Sequence, residues 1–177
     1  MALNDTPLFD EALLRNLTVD NGVISESNMN GLLLRPLCTR DYDKGFMNTL
    51  AQLTDVGDVS PEMFIDRFEE MKRLGNHYVV VVENTQTGSV VATALLILER
   101  KFIHACTTRG RVEDVVVCNS VRGKGLGKLL ISTLTVLAEK LGCYKVTLEC
   151  RPAKVPFYER FGYNVSEELY MQYRFGH

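Results

Sequence analysis

Arg111-Val-Glu-Asp-Val-Val-Val-Cys-Asn-Ser-Val-Arg122-Gly123-Lys124-Gly125-Leu126-Gly127-Lys128 is the stretch whose reading decides the fold. A valine-rich run, read as a strand, leads into a glycine-rich turn. The turn opens the strongest helical pattern in the chain, with Leu126, Leu129, Leu130, Thr133, Leu134, Leu137, Ala138 and Leu141 recurring at i, i+3, i+4 and i+7. Gly142 stands where a C′ glycine closes such a helix. Glycines let the backbone come close to a ligand, and a helix N-terminus presents N–H groups to anions. Arg122, Lys124 and Lys128 add cations around the turn. The segment therefore reads as a cradle for phosphate or pyrophosphate. Three glycines at alternate positions exceed what a plain strand–helix turn requires.

Two common phosphate loops do not fit. A P-loop needs GxxxxGK[ST], but Gly127-Lys128 is followed by Leu129. A dinucleotide fingerprint needs GxGxxG, and the spacing here is GxGxG. The segment matches [RQ]xxGx[GA] through Arg122, Gly125 and Gly127.

Outward from this centre, Tyr78–Glu83 and Val90–Arg100 are β-branched runs joined by Asn84-Thr85-Gln86-Thr87-Gly88, which predicts a hairpin. Leu32–Leu34 predicts a short strand and Arg40–Leu53 a helix. Ser60-Pro61-Glu62 starts a second helix with Phe64, Phe68, Met71 and Leu74 on one face. After the glycine turn, Tyr144, Val146, Leu148 and Cys150 alternate with polar residues and predict a strand. Residues 153–161 read as a short helix, and Tyr163–Arg174 as one or two further strands. Before Leu32, residues 8–14 read as a short helix after Thr6-Pro7, and residues 16–31 as loop.

The chain has 177 residues, 46% of them hydrophobic and 24% charged, which suits one folded domain with its own core. Acidic residues number 22 and basic ones 20, so the net charge is −2. That argues against a protein that coats nucleic acid. The five cysteines form no CxxC pair and, with three histidines, show no zinc spacing, so no metal is expected. No apolar run is long enough to span a bilayer and the first ten residues lack an apolar signal core. The expected location is cytoplasmic.

Several ordered segments carry a resemblance: Leu34-Arg35-Pro36-Leu37, Gln52-Leu53-Thr54, Val59-Ser60-Pro61-Glu62, Glu99-Arg100-Lys101-Phe102-Ile103-His104, Val112-Glu113-Asp114-Val115, Arg122 to Leu130, Gly142-Cys143-Tyr144-Lys145 and Phe157-Tyr158. Over residues 32–175 the chain resembles the GNAT superfamily of N-acetyltransferases, and within it the eukaryotic glucosamine-6-phosphate N-acetyltransferase family. The resemblance implies an α/β fold, with a mixed, mostly antiparallel sheet splayed at its centre and flanked by helices. Residues 31–177 would form the acetyltransferase domain and residues 1–30 an N-terminal appendage. It also implies acetyl-CoA as co-substrate, direct transfer to the amine of glucosamine 6-phosphate on the path to UDP-N-acetylglucosamine, and a homodimer with shared active sites.

The same resemblance assigns roles. The backbone of Val115 to Val117 would hold the acetyl and pantetheine arm, and Arg122, Gly123, Lys124, Gly125, Leu126, Gly127 and Lys128 the pyrophosphate. Tyr158 would protonate the leaving thiolate, and Glu149 or a water would be the base. Thr54, Lys101, Phe102, Ile103, His104, Glu113, Asp114, Val115, Tyr144, Lys145, Glu168 and Arg174 would contact the sugar phosphate. From the residues alone, Glu113 and Asp114 are strand neighbours that point to opposite faces, so one of them faces the core side and needs a partner, Arg111 or Arg100 being candidates. The family carries asparagine where Lys154 stands, so the amide contacts of that position are lost. Acetyl transfer to another small amine or a protein amine, and a non-catalytic CoA-binding domain, stand as alternatives.

Overall fold

The computed structural model describes residues 5–15, 17–19, 22–23 and 31–175. It divides into two compact units, Met1–Thr147 and Leu148–His177. The larger unit is built on a five-stranded sheet of order β3-β4-β5-β6-β7. These strands are β3 (Leu32–Pro36), β4 (His77–Asn84), β5 (Ser89–Arg100), β6 (Thr108–Val117) and β7 (Cys143–Thr147). The first three pairings are antiparallel and β6 with β7 is parallel, so the sheet is mixed and mostly antiparallel as expected. A two-stranded ribbon of β1 (Thr18–Val19) and β2 (Gly22–Val23) precedes it. Residues 16, 20–21 and 24–30 of the predicted loop lie outside the described residues.

Opposite faces of the sheet bury different helices. On one face Val79, Val81 and Leu95 pack with Leu37, Phe46, Phe64 and Phe68, which come from the chain before β4. Phe46 belongs to α1 (Phe46–Leu50), and Phe64 and Phe68 to α2 (Pro61–Leu74). A short turn, α3 (Ile103–Cys106), separates β5 from β6. On the other face lies α4 (Leu126–Lys140), whose Leu130, Ile131, Leu134 and Leu137 are fully buried. Gly110 on β6 marks how closely α4 approaches. A Cβ there would stand 3.1 Å from Leu96, 3.3 Å from Val146 and 3.4 Å from Ala138.

The caps follow the sequence. Ser60 accepts from the Met63 N–H to start α2, with Pro61 at the first helical position. Gly142 takes φ 78° just after α4. The predicted helix over residues 40–53 is broken instead: a 3₁₀ turn (Thr39–Tyr42) is followed by Gly45 at φ 83°, and only then by α1. Leu74 of the predicted α2 face is 52% exposed, because the helix ends there at Gly75. Near the N-terminus the helical turn is Glu11–Leu13, capped by Asp10, while Pro7 bridges Cys38. Leu8, Leu14 and Leu17 are buried within the larger unit, and Lys72 donates to the Pro7 carbonyl (3.0 Å).

In the smaller unit a 3₁₀ turn (Pro152–Lys154) runs into α5 (Val155–Glu159). The strands expected within Tyr163–Arg174 do not form among the described residues. A strand needs a neighbour to take its ladder bonds. Here Val165, Leu169, Tyr170, Met171 and Tyr173 all stay exposed. The strand expected over Tyr144–Cys150 likewise ends at Thr147, where its pairing with β6 has stopped, so Glu149 lies beyond it.

An ionic knot fixes the start of the sheet. The Arg35 guanidinium forks onto buried Asp41 (2.6 and 2.7 Å) and also donates to Glu83 (2.6 and 2.9 Å). Lys44 reaches Glu83 at 3.2 Å, and Asp41 also accepts the Cys38 N–H (2.7 Å). Burial opposes the charge on Glu83, but Arg35 and Lys44 outweigh it and hold the carboxyl below its ordinary 4.5. Such a group stabilises the fold fully above the unfolded value, and that stability is lost as pH falls through the lower folded value. Arg35→Met should cost about 3–5 kcal/mol by stranding Asp41. Glu83→Gln should flatten the fall in thermal midpoint between about pH 5 and 3 relative to wild type. Calorimetry across that range checks both, and parallel wild-type and Glu83→Gln curves would refute the second.

Candidate active site

The site is founded on an interruption in β6. Thr93 pairs with Val116 and Leu95 with Glu113, so Asp114 and Val115 together oppose Ala94. This is a β-bulge, and Asp114 adopts φ 52° in it. Aspartate tolerates the left-handed region better than most residues. On its other edge β6 pairs with β7 only from Thr108 to Arg111. β7 ends at Thr147, opposite Arg111, so beyond Arg111 that edge of β6 pairs with no strand among the described residues. The Cys118 N–H bonds the Val91 carbonyl on β5 (2.9 Å). By strand alternation Val117 turns its N–H and C=O away from β5, toward the edge beyond the end of β7. The Val117 carbonyl there accepts from Arg122 Nε at 3.3 Å.

After β6 comes a 3₁₀ turn (Asn119–Val121) and then the glycine turn. Gly123 and Gly125 take φ 82° and 78°, and neither would have an atom within 4 Å of an added Cβ. Backbone conformation therefore demands glycine here and leaves open space over the turn. Gly125 is the N-cap of α4, and the first intrahelical bond runs from Leu129 N to Gly125 O (3.0 Å). The N–H groups at Leu126 and Gly127 have no acceptor in the helix. Arg122 and Lys124 are exposed beside them. An open, cationic turn at the N-terminus of a four-turn helix fits a pyrophosphate.

The larger unit gathers part of the expected sugar-phosphate set. The His104 ring lies 4.7 Å from that of Tyr144, and Lys145 Nζ stands 5.6 Å from the Tyr144 centroid. His104, Ala105 and Cys106 all have φ between 51° and 60°, a tight left-handed stretch that follows exposed Phe102 and Ile103. Lys101 is paired with Glu99 (2.6 Å), which also binds Arg109 (2.6 Å). Burial opposes the Glu99 charge, and the two cations hold its carboxyl down.

Glu113 and Asp114 point apart. Glu113 pairs with Arg111. Asp114 lines a cavity of about 600 Å³ between the sheet, α1 and α2, together with Phe46, Leu50, Met63 and Thr93. Burial raises the Asp114 carboxyl, and the neighbouring Glu113 charge adds to it. Thr54 is exposed just past α1.

The smaller unit holds Glu149, Tyr158, Glu168 and Arg174. Tyr158 stacks edge-on with Phe157 (5.0 Å) and Tyr163 (6.2 Å). Burial raises its phenol, with Cys150 and Tyr163 adding to it, so the hydroxyl keeps its proton at neutral pH. Glu168 bonds the Ser166 hydroxyl, while Arg174 and Glu149 are exposed. Sequence reasoning missed the contact between Gln52 and the start of the glycine turn. The Gln52-Leu53-Thr54 segment is visible in the sequence, but its partners lie 66 and 67 residues on.

Residues 45–163 match the acetyltransferase (GNAT) family. A Drosophila melanogaster protein named "Probable glucosamine 6-phosphate N-acetyltransferase" is 50% identical over 130 residues, 73% of this chain and 59% of its own length. The Candida albicans protein named glucosamine 6-phosphate N-acetyltransferase is 41% identical over 133 residues, 75% of this chain and 89% of its own. The crystal structure of glucosamine-6-phosphate N-acetyltransferase from Arabidopsis thaliana matches with a TM-score of 0.77 and 38% identity, over 80% of this chain and 97% of that one. With the bulged strand, the β6 edge beyond the end of β7 and the glycine turn in place, the chain belongs to the acetyltransferase (GNAT) family.

Proposed function

We propose that the protein transfers the acetyl group of acetyl-CoA to the amine of glucosamine 6-phosphate, giving N-acetylglucosamine 6-phosphate for UDP-N-acetylglucosamine synthesis. The observation that carries this is the open glycine turn at the N-terminus of α4, beside a β6 edge that β7 no longer covers. The names of relatives that share 41–50% identity support the choice of acceptor. Acetyl-CoA, when bound, supplies an activated thioester. Arg122, Lys124 and Lys128, with the backbone from Gly123 to Gly127, hold its pyrophosphate, and the backbone of Val115 and Val117 orients the acetyl arm. The amine nitrogen forms its bond to the thioester carbon as the carbon–sulfur bond breaks. Glu149, or a water, takes the proton the amine loses, and Tyr158 gives its proton to the thiolate. Transfer is direct.

Thr54, Phe102, Ile103, His104, Glu113, Asp114, Tyr144, Lys145 and Glu168 contact the sugar phosphate in this reading. The active form is a homodimer, and the exposed apolar side chains of residues 165–175 support a second copy as their cover. No helix among the described residues is long and apolar enough to cross a membrane. Five unpaired thiols support a cytoplasmic setting. Thiol release from acetyl-CoA against a panel of amino sugars, with and without phosphate, tests the whole reading. Activity on protein amines with none on amino sugars would overturn it.

Tyr158→Phe should lower kcat by about 10²–10⁴-fold with little change in either KM, since the hydroxyl acts as charge develops on sulfur. Stopped-flow thiol detection checks this, and a loss below about threefold would make Tyr158 a packing residue.

The net charge of −2 gives no general pull on anions, so phosphate must be recognised locally. Lys101, His104 and Arg174 supply the cations, Lys101 while also bound to Glu99. At about 1.5–3 kcal/mol per charge-assisted bond, unphosphorylated glucosamine should lose about 10²-fold or more in kcat/KM. Arg174→Ala should remove most of that preference and leave free glucosamine nearly unaffected. Equal losses on both sugars would make Arg174 structural.

A further inference from the structure

Gln52 sits just past α1 and reaches across to the other end of the site. Its Nε2 donates to Cys118 Sγ at 3.2 Å, and its Oε1 accepts the Asn119 N–H at 2.9 Å. The place it touches is the junction where β6 ends and the 3₁₀ turn before the glycines begins. The first N–H of such a turn has no partner within it, and Cys118, the N-cap, makes no side-chain cap bond. Gln52 therefore caps the turn from a remote segment. The same junction is tied to the core by Thr49, whose hydroxyl lies 3.5 Å from Cys118 Sγ and donates to the Val90 carbonyl (2.8 Å). On the far side of the turn Val121 N bonds Cys118 O (3.0 Å) and Arg122 N bonds Asn119 O (3.4 Å). A shift at Asn119 thus moves Arg122, the first cation of the cradle.

We propose that Gln52 is a positioning residue for CoA: by clamping the Cys118–Asn119 junction it sets where the glycine turn sits. This inference rests on the reading of that turn as the CoA cradle. The clamp lies two residues before Thr54, so it also ties the acceptor side of the site to the CoA side. Loss of CoA grip, with chemistry at saturation intact, is the signature expected of it.

Three variants separate the clamp from mere packing. Gln52→Leu removes both bonds. Gln52→Glu keeps an acceptor for the Asn119 N–H and offers a carboxylate oxygen to the Cys118 thiol. Asn119→Pro deletes the donated proton and puts a ring carbon in its place, so the Gln52 amide must withdraw from the junction. Proline is tolerated at the first position of such a turn, and Cys118, at φ −52° and ψ 138°, already has the backbone a residue before proline prefers. The readouts are calorimetric titration with CoA, KM for acetyl-CoA against kcat, and the thermal midpoint.

Gln52→Leu and Asn119→Pro should each weaken CoA binding and raise KM about three- to tenfold, with kcat within about twofold and a near-constant midpoint. The double variant should lose little more than either single one, and Gln52→Glu should stay within about twofold of wild type. Wild-type CoA affinity in folded Gln52→Leu overturns the clamp, as does full additivity in the double variant. A wild type that binds no CoA overturns instead the cradle reading on which the clamp rests.

Discussion

Neighbouring strands that stop pairing leave a row of backbone N–H and C=O groups with no ladder partner, and such groups are costly unless water or a ligand satisfies them. In this chain β7 ends at Thr147, opposite Arg111, and the glycine-turn side of the candidate site depends on the β6 edge that this leaves without a strand. The bulge at Asp114 and Val115 lies just past Arg111, where β6 still needs β5 but is released on its other side. Gly110 stands just before it, so close to α4 that the last shared stretch of the two strands is pressed against the helix. The uncovered edge thus has a fixed origin, and an extended chain with donors and acceptors of its own is a chemically suitable partner for it.

Carboxylates in the larger unit sort by what surrounds them. Glu83 is held by Arg35 and Lys44, and Glu99 by Lys101 and Arg109; both are kept charged and both tie segments together. Asp114 differs, because burial and the charge of Glu113 push its carboxyl up. A carboxyl raised in this way, on a bulge and lining a cavity, is the kind found at functional sites rather than at braces. The braces also bear on how the strain is held: the left-handed stretch from His104 to Cys106 begins three residues past the Glu99–Lys101 pair, and the Lys101 N–H bonds the Thr107 carbonyl (2.9 Å) across its base.

Much of this was legible without coordinates, because periodicity reports local structure directly. The period of α4, the Ser60-Pro61 cap of α2 and the Asn84–Gly88 turn each state their geometry in adjacent residues. What failed depended on partners. The Tyr163–Arg174 segment alternates as a strand does, but alternation does not supply a neighbour. Residues 40–53 have a helical pattern, but Gly45 takes a left-handed turn inside it. The glycine turn around Gly125 was legible as a motif, whereas the clamp by Gln52 was not. Its partners are a thiol and a backbone N–H, neither of which leaves a pattern in sequence.

The geometry of Gly125 carries a consequence for handedness. At φ 78° and ψ 6° this residue occupies a region that is strained for an L side chain and relaxed for its mirror image, and the position of its missing Cβ faces empty space. A D-alanine introduced there by chemical ligation sits in its own preferred basin, whereas L-alanine of identical size, though its Cβ would meet no atom within 4 Å, does not fit without strain. The turn is therefore selective for chirality rather than for bulk. A chain assembled with the mirror-image residue at this point would gain the rigidity that glycine lacks while keeping the helix start where it is.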